Sequence, residues 1–391
     1  MRQRGPHRTG WTLVLPLLVF TLVTFLAPIG FMLWKSVYDP EVAGLLGQTR
    51  QALAKWQTST GLPGPEGFDA LSRDLRDLTG DGRVSQLALR LNRERSGMRQ
   101  LIEVTADAIA EYDRPLLEID PRWGDPDTWV LLKRMTQPLT ARYFLSAVDL
   151  QQTPQGSIVR QDESRRIYVY LFGRTILVAS VVTAVCIVLG YPFAYALATA
   201  RPRMQRLLFF IVMLPFWTSL LVRTTAWIVL LQRRGVLNEI LVAMNIVSER
   251  SRLELIYNLS GTLIVMTHVL LPFFVLPLYA VMKGIPKQYV RAGKSLGAGP
   301  ARVFLRIYLP MTLPGVLAGA ALVFILSLGY YVTPALVGGR TGQLISNQIA
   351  FHVQTSLNWG LAAALGSILL VIVVVLTMLL SRVTQRGVLQ R

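Results

Sequence analysis

Six stretches of this chain are apolar almost without interruption, and nearly all of its charged residues fall between them. They cover residues 11–34, 171–199, 207–231, 261–282, 313–337 and 361–380. A helix needs about 20 apolar residues to cross a hydrocarbon core, so each stretch is long enough to span a membrane. The pattern predicts an all-α membrane protein with six transmembrane helices. Arg2, Arg4 and Arg8 precede the first stretch, as basic residues precede a secretory signal. The stretch is too long for a signal's apolar region and lacks a small-x-small cleavage site, so it reads as a retained anchor.

The longest polar interval, 35–170, separates the first two stretches and is of ordinary domain size. Within it, residues 68–78, 84–91, 101–112 and 128–135 carry apolar side chains three and four positions apart, with Gly, Pro and Asp between the segments. That period is helical. It predicts a small, mainly helical domain inserted between helices 1 and 2. The single cysteine, Cys186, lies in the second apolar stretch, so no disulfide staples this domain and its stability comes from its own core. One motif here has two readings. Asp77, Thr79, Asp81 and Ser85 stand at the first, third, fifth and ninth positions of an EF-hand-like calcium loop, with Gly82 at its turn and Val84 at its apolar position. The twelfth position, which should bring a bidentate carboxylate, is Ala88. The alternative is an ordinary turn between two helices.

Charge then orients the spans. The chain has 40 Lys and Arg against 22 Asp and Glu, a net charge of +18. Residues 1–10, 201–206, 283–310 and 381–391 hold fifteen Lys or Arg and no acid, whereas 35–170 holds eighteen basic and nineteen acidic residues. Basic loops stay on the cytoplasmic side. Both termini (1–10 and 382–391) and the loop 283–310 are therefore expected inside, and 35–170 outside, in the periplasm of a bacterial inner membrane. The remainder, 171–381, would carry helices 2–6. A pI near 10.6 would suggest nucleic acid in a soluble chain; here topology accounts for it, and no nucleic-acid partner is expected.

The interval 283–310 carries the most specific signal. Its charges are Lys283, Lys287, Arg291, Lys294, Arg302 and Arg306. Pro286 favours a helix start, Ala292, Leu296, Val303 and Phe304 can line an apolar stripe, and Gly297 with Gly299-Pro300 breaks the helix. The expected shape is helix, bend, helix, a compact knob in which Gly297 permits close backbone approach or a positive φ. Gly293-Lys294-Ser295 has the ending of a phosphate-binding P-loop. That pattern needs glycine at 288, where this chain has Gln288, and a strand before it, so nucleotide binding is not expected.

With Arg291, Ala292, Gly293, Gly297, Ala298, Phe304, Ile307, Leu309 and Pro310 in these places, the interval resembles the coupling-helix signature of permeases from binding-protein-dependent ABC importers. That signature is E-A-A-x-x-x-G, then an apolar helix and I-x-L-P. Arg291 replaces its acid and Gly293 its second Ala. Other runs resemble the polyamine (spermidine/putrescine) branch: Leu214-Pro215-Phe216-Trp217-Thr218 with Val222-Arg223, Ala226-Trp227 and Gly235-Val236-Leu237-Asn238; Leu271-Pro272-Phe273 with Pro277-Leu278-Tyr279; and Tyr330 through Gly339, YYVTPALVGG. The resemblance covers about 170–381 and leaves the inserted domain outside it. It implies a type I importer, with a five-helix core in each permease, a second and preferably different permease, and an extracytoplasmic solute-binding protein. An ATPase dimer would grip Arg291, Ala292, Gly293, Lys294, Gly297 and Ala298. ATP and Mg would belong to that ATPase, with no cofactor and no catalysis in this chain.

Substrate chemistry is harder to read. None of the six stretches contains Asp or Glu, so a polyamine would meet aromatic faces, hydroxyls and carbonyls. Cation–π contacts of about 0.5–2 kcal/mol each suffice for a transient stop, leaving selectivity mainly to the binding protein. Candidates for the pathway are Trp217, Thr218, Tyr330, Tyr331, Thr333 and Asn347; for each the alternative is helix packing or an interfacial aromatic belt. Arg223, the one charge well inside an apolar run, lies seventeen residues past Arg206, about 25 Å along a helix. Either it snorkels to the outer interface, or it serves an outer gate or the docking of the binding protein. Pro192, Pro215, Pro272, Pro277 and Pro334 are candidate bending points. A secondary transporter would want intramembrane carboxylates and an internal repeat, and a sensor would want a cytoplasmic signalling domain. A membrane enzyme needs a polar constellation, and His7, His268 and His352 are scattered. The near alternative is an importer of another small solute: an opine, an amino acid derivative, an aminophosphonate or ferric ion.

Overall fold

The computed structural model describes residues 6–57, 61–112, 114–153 and 156–389. Residues 1–5 and 390–391, parts of the two ends expected to be cytoplasmic, lie outside the described residues. The chain divides into two compact units, Met1–Arg165 with Asn358–Ala364, and Arg166–Leu357 with Leu365–Arg391.

The first unit opens with α1 (Pro6–Thr21) and α2 (Ala27–Lys35), joined by a π turn at Leu22–Leu26. Pro28 has no N–H to give, and its ring crowds the carbonyl of Thr24 four residues back. The wider turn takes up that mismatch. Next come α3 (Glu41–Leu45), α4 (Gly47–Lys55), α5 (Pro65–Gly80), α6 (Val84–Asn92) and α7 (Met98–Glu111). Then follow α8 (Leu116–Ile119), α9 (Pro126–Met135), α10 (Arg142–Ala147) and an antiparallel hairpin of β1 (Leu150–Gln152) and β2 (Ile158–Arg160). The four periodic segments fall on α5, α6, α7 and α9. Their stripes, among them Leu71, Leu75, Leu87, Leu91, Leu101 and Ile102, close around Trp123 and Trp129. Both indoles keep a polar partner: Trp123 Nε1 donates to Thr105 Oγ1 at 3.0 Å and Trp129 Nε1 to the Trp123 carbonyl at 2.8 Å. Asp74, buried on α5, accepts from the Thr49 N–H and hydroxyl, both at 2.7 Å, and so caps the start of α4.

An ionic cluster sits where the chain leaves α2. Tyr38 forms an isolated bridge with Leu139, and Asp39 beside it accepts from Arg90 Nη2 at 2.7 Å, from the Tyr143 hydroxyl at 2.5 Å and from Arg142. Burial alone would raise the Asp39 carboxyl; Arg90, the Tyr143 hydroxyl and Arg142 outweigh it and hold the group at about 2. Removing one member of such a buried set leaves its partners uncompensated.

The second unit contains α11 (Tyr168–Thr199), α12 (Pro202–Trp217), α13 (Leu220–Leu231), α14 (Val236–Ala243), α15 (Leu259–Gly284), α16 (Lys287–Ser295) and α17 (Pro300–Val303). It continues with α18 (Leu309–Gly329), α19 (Val332–Val337), α20 (Ile345–Gln354) and α21 (Trp359–Leu389), whose first residues are counted with the first unit. α15 is the hub. Its Phe274 is fully buried; a Cβ on Gly190 of α11 would lie 2.5 Å from Phe274 Cδ1, and one on Gly319 of α18 would lie 2.7 Å from its carbonyl oxygen. Such small residues let helices close up where apolar surface alone gives little drive for association.

Among the described residues, five helices are long and apolar enough to cross a membrane: Val14–Lys35, Glu163–Thr199, Leu259–Gly284, Pro300–Gly329 and Trp359–Leu379. The sixth is a pair, Pro202–Trp217 and Leu220–Ala243, bent by 103°. The third stretch is thus not the single rod expected over 207–231. Ser219 turns the chain and caps α13 by accepting the Val222 N–H at 3.2 Å. The fifth stretch is shifted as well. Its helix starts at Pro300, passes through a π turn at Phe304–Tyr308 just ahead of Pro310, and stops at Gly329 instead of 337. Hydropathy missed that end because Tyr330 to Val337 is nearly as apolar as the helix. Of the proposed bending points, Pro192, Pro272 and Pro277 lie inside unbroken helices, Pro334 lies in α19, and Pro215 lies in the last turn before the sharp break.

Candidate functional site: a docking loop and a broken-helix cavity

The basic loop 283–310, the candidate docking loop, follows from local rules. At the end of α16 the Ala298 N–H donates to the Gly293 carbonyl at 3.1 Å and the Gly297 N–H to the Lys294 carbonyl at 3.0 Å, the paired bonds of a Schellman cap. Gly297 takes φ +80°, and nothing lies within 4 Å of where its Cβ would be. Glycine is needed there by the backbone alone. Leu296 at the turn is 88% exposed, and Arg291, Ala292 and Lys294 are exposed beside it, with Ala298 half-buried. Gly293 is the buried point, where a Cβ would fall 2.6 Å from Ile307 Cδ1 and 3.3 Å from Val303 Cγ2. The apolar stripe expected over Ala292, Leu296, Val303 and Phe304 is therefore not one face. The turn at Gly297 separates its halves, Val303 is buried, and α16 meets the following helix through Gly293.

Behind the loop, the π turn places rings against α11. Phe304 meets Tyr191 and Tyr195 edge-on at 6.1 and 5.8 Å, and Tyr308 meets Tyr195 at 5.4 Å. The Tyr191 hydroxyl lies 3.1 Å from Thr312 Oγ1. Ring contacts of about 0.5–1.5 kcal/mol each thus tie the loop to α11. Sequence reasoning passed over these tyrosines, although the i, i+4 spacing of Tyr191 with Tyr195 and of Phe304 with Tyr308 was available.

The break between α12 and α13 is the second element. A helix end leaves carbonyls without helical partners, and in apolar surroundings the protein itself must satisfy them. Arg223 does so. Its Nη2 donates to the Pro215 carbonyl and, at 2.8 Å, to the Thr218 carbonyl, while Nε donates to Thr218 Oγ1 at 3.2 Å. A cation is also favoured at a helix C-terminus. Arg223 is half-buried and folded back on the break. It lines a cavity of about 230 Å³ with Pro215, Phe216, Val269, Leu270, Phe273, Leu326 and Tyr330. Phe216 and Phe273, which the pathway candidates omitted, pack with ring centres 5.0 Å apart.

The other candidates scatter around this cavity. Thr218 joins it through Arg223. Trp217 is 68% exposed and packs on Phe210 at 5.2 Å. Tyr331 is exposed, and its carbonyl accepts from Asn347 Nδ2 at 2.8 Å; the Tyr330 carbonyl accepts from the Ser346 hydroxyl at 2.8 Å. Asn347 Oδ1 also accepts the Leu344 N–H at 3.0 Å, so Asn347 braces the irregular backbone after α18. Thr333 is fully buried, and its hydroxyl has no hydrogen-bond partner. His268 accepts from Trp227 Nε1 at 3.1 Å, and His352 lies between the Tyr168 and Ser356 hydroxyls at 2.9 and 2.8 Å. In the first unit, Asp77 and Thr79 belong to the end of α5, Asp81 pairs with Arg83 at 2.5 Å, and Ser85 lies in the first turn of α6. Among the described residues, no group of three or more His, Cys, Asp or Glu is placed to hold a metal ion.

Residues 186–388, the stretch holding the docking loop, the broken helix and the cavity, match the family model described as binding-protein-dependent transport system inner membrane component. The spermidine/putrescine transport system permease protein PotB of Haemophilus influenzae is 32% identical over 200 residues, 51% of this chain and 69% of that protein. Its Escherichia coli counterpart is 35% identical over 201 residues, covering 51% and 72%. The molybdenum transport system permease protein ModB of Mycobacterium bovis is 31% identical over 202 residues, covering 51% and 74%. With a family match across more than half its length, centred on those same elements, the chain belongs to the inner-membrane components of binding-protein-dependent transport systems.

Proposed function

We propose that this chain is the permease subunit of an ABC importer for polyamines such as spermidine or putrescine. The observation that carries the reading is the docking loop, a glycine-capped basic knob with an exposed Leu296, in a chain of this family. The polyamine class is supported by the identity to two permeases named for those solutes and by the aromatic walls of the cavity. The permease is not an enzyme in this scheme; ATP and Mg²⁺ belong to a separate ATPase dimer. Closure of that dimer draws in the loop 283–310, and the ring contacts behind it pass the motion to α11 and α18. A second permease, preferably a different chain, completes the path, and a solute-binding protein delivers the substrate.

The charge pattern supports a topology with both termini and the docking loop in the cytoplasm and residues 35–170 in the periplasm, and in this reading the helical unit clamps the binding protein. Deleting residues 45–160 without loss of uptake or docking counts against that role. The primary test is co-expression with neighbouring genes, purification in mild detergent and identification by mass of what stays bound. An ATPase, a second permease and an amine-binding protein are expected. A lone chain or a homo-oligomer, stable without any ATPase, overturns the reading.

A further inference from the structure

We propose that Arg223 is a positive gate in the solute path, sealing the cavity at the α12–α13 break against cations until the break changes shape. The proposal rests on the importer reading and adds to it the residue that keeps the path tight between transport cycles. Apart from Glu163 at the very start of its helix, no Asp or Glu occurs in the membrane-crossing helices or in the bent pair as far as Leu231, so no carboxylate in the apolar part of the spans offsets the guanidinium. The remaining cavity walls are apolar or aromatic, with Phe216, Phe273 and Tyr330 among them. There a charge is screened far less than in water.

The guanidinium is fixed, not swinging. Its acceptors are the carbonyls of Pro215 and Thr218 and the Thr218 hydroxyl, in the last turn of α12 and in the break itself, none of them in α13. The C-terminus of α12 supplies about half a negative charge, which leaves about half of the positive charge facing the cavity. Every ammonium group of a polyamine meets that same repulsion, as does any small cation. The charge moves only when α12 moves against α13, because the atoms that hold it belong to the last turn of α12 and the residues just after it. The seal thereby opens with the helices and not by diffusion of a side chain.

The test uses the assembled importer in liposomes without ATP or binding protein, with guanidinium as cation probe and iodide as anion probe. Arg223→Gln is expected to raise guanidinium flux about tenfold or more without raising iodide flux, and Arg223→Lys to stay near the wild type. Should Arg223→Gln fail to assemble, Leu326→Asp keeps the question open to measurement: a carboxylate in the cavity wall offsets the fixed cation and is expected to admit guanidinium with Arg223 in place. An assembled Arg223→Gln complex as tight to guanidinium as the wild type overturns the gate, as does a tight Leu326→Asp complex. Neither readout depends on which solute is imported. A wild-type complex that is tight but imports no spermidine or putrescine refutes the polyamine reading alone.

Discussion

Valine in place of Gly297 perturbs the docking loop through its backbone alone. The native φ of +80° costs an L-residue about 1–2 kcal/mol, and a β-branched residue is an outlier there. The space around the added Cβ is empty to 4 Å, so no clash adds to the strain. A cost of about 1–2 kcal/mol lowers the equilibrium constant for the Schellman turn about 5- to 30-fold. Uptake by the reconstituted complex is expected to fall by up to that factor, and stimulation of ATP hydrolysis by the binding protein to fall with it, while membrane insertion stays unchanged. Gly297→Asn, which visits the left-handed region routinely, is expected to keep most of the activity. Wild-type uptake and stimulation in Gly297→Val, or an asparagine variant as damaged as the valine one, would refute the reasoning.

Three further outcomes follow from the packing and the charges. The Asp39 carboxyl lies at about 2 against an ordinary 3.8, so its contribution of about 2 kcal/mol is present above pH 4 and lost as pH falls through about 2. Hydrogen exchange in α6 and α10 of the intact chain should speed up over that window, and Asp39→Asn should already be fast at pH 5; a variant indistinguishable from wild type contradicts the cluster's role. Gly319→Ala puts a Cβ 2.7 Å from the Phe274 carbonyl oxygen and is expected to cost about 1–3 kcal/mol by overpacking, read as a lower Tm in detergent, with an unchanged Tm as the contrary result. Trp129→Ala empties the centre of the first unit at a cost of about 3–5 kcal/mol. Limited proteolysis between residues 40 and 160 should then accelerate, and unaltered cleavage there would show that the core tolerates the void.

Where one face of a segment repeats over two or more turns, the sequence was readable. α5, α6, α7 and α9 announced themselves by Leu71, Leu75 and Leu78 and their equivalents, and the membrane helices by uninterrupted apolar length. The helices α3, α8 and α10, and the short hairpin strands, have too few residues to display a period. The break after Trp217 and the helix end at Gly329 were invisible to hydropathy, because Thr218-Ser219 and Tyr330-Tyr331 interrupt the backbone without interrupting the apolar run. In the docking loop the glycine pattern gave the bend, but assigning one stripe across it ignored that a left-handed residue reverses the chain. Arg223 illustrates the limit most clearly: distance along a straight helix put it near an interface, and only the bend, with carbonyls left to satisfy, shows why an arginine belongs there.

The clasp of Gly190 and Gly319 on Phe274 has a consequence for how this protein can evolve. A larger side chain at position 190 or 319 meets the same benzyl group or its backbone, so no single enlargement can be absorbed locally. At 190, accommodation calls for a smaller residue at 274, which leaves a void beside Gly319; at 319 the first obstacle is the Phe274 carbonyl oxygen, which no change of side chain at 274 removes. Position 319 is therefore expected to stay glycine in related chains, while 190 and 274 drift as a pair, one small and one large, with mixed combinations rare.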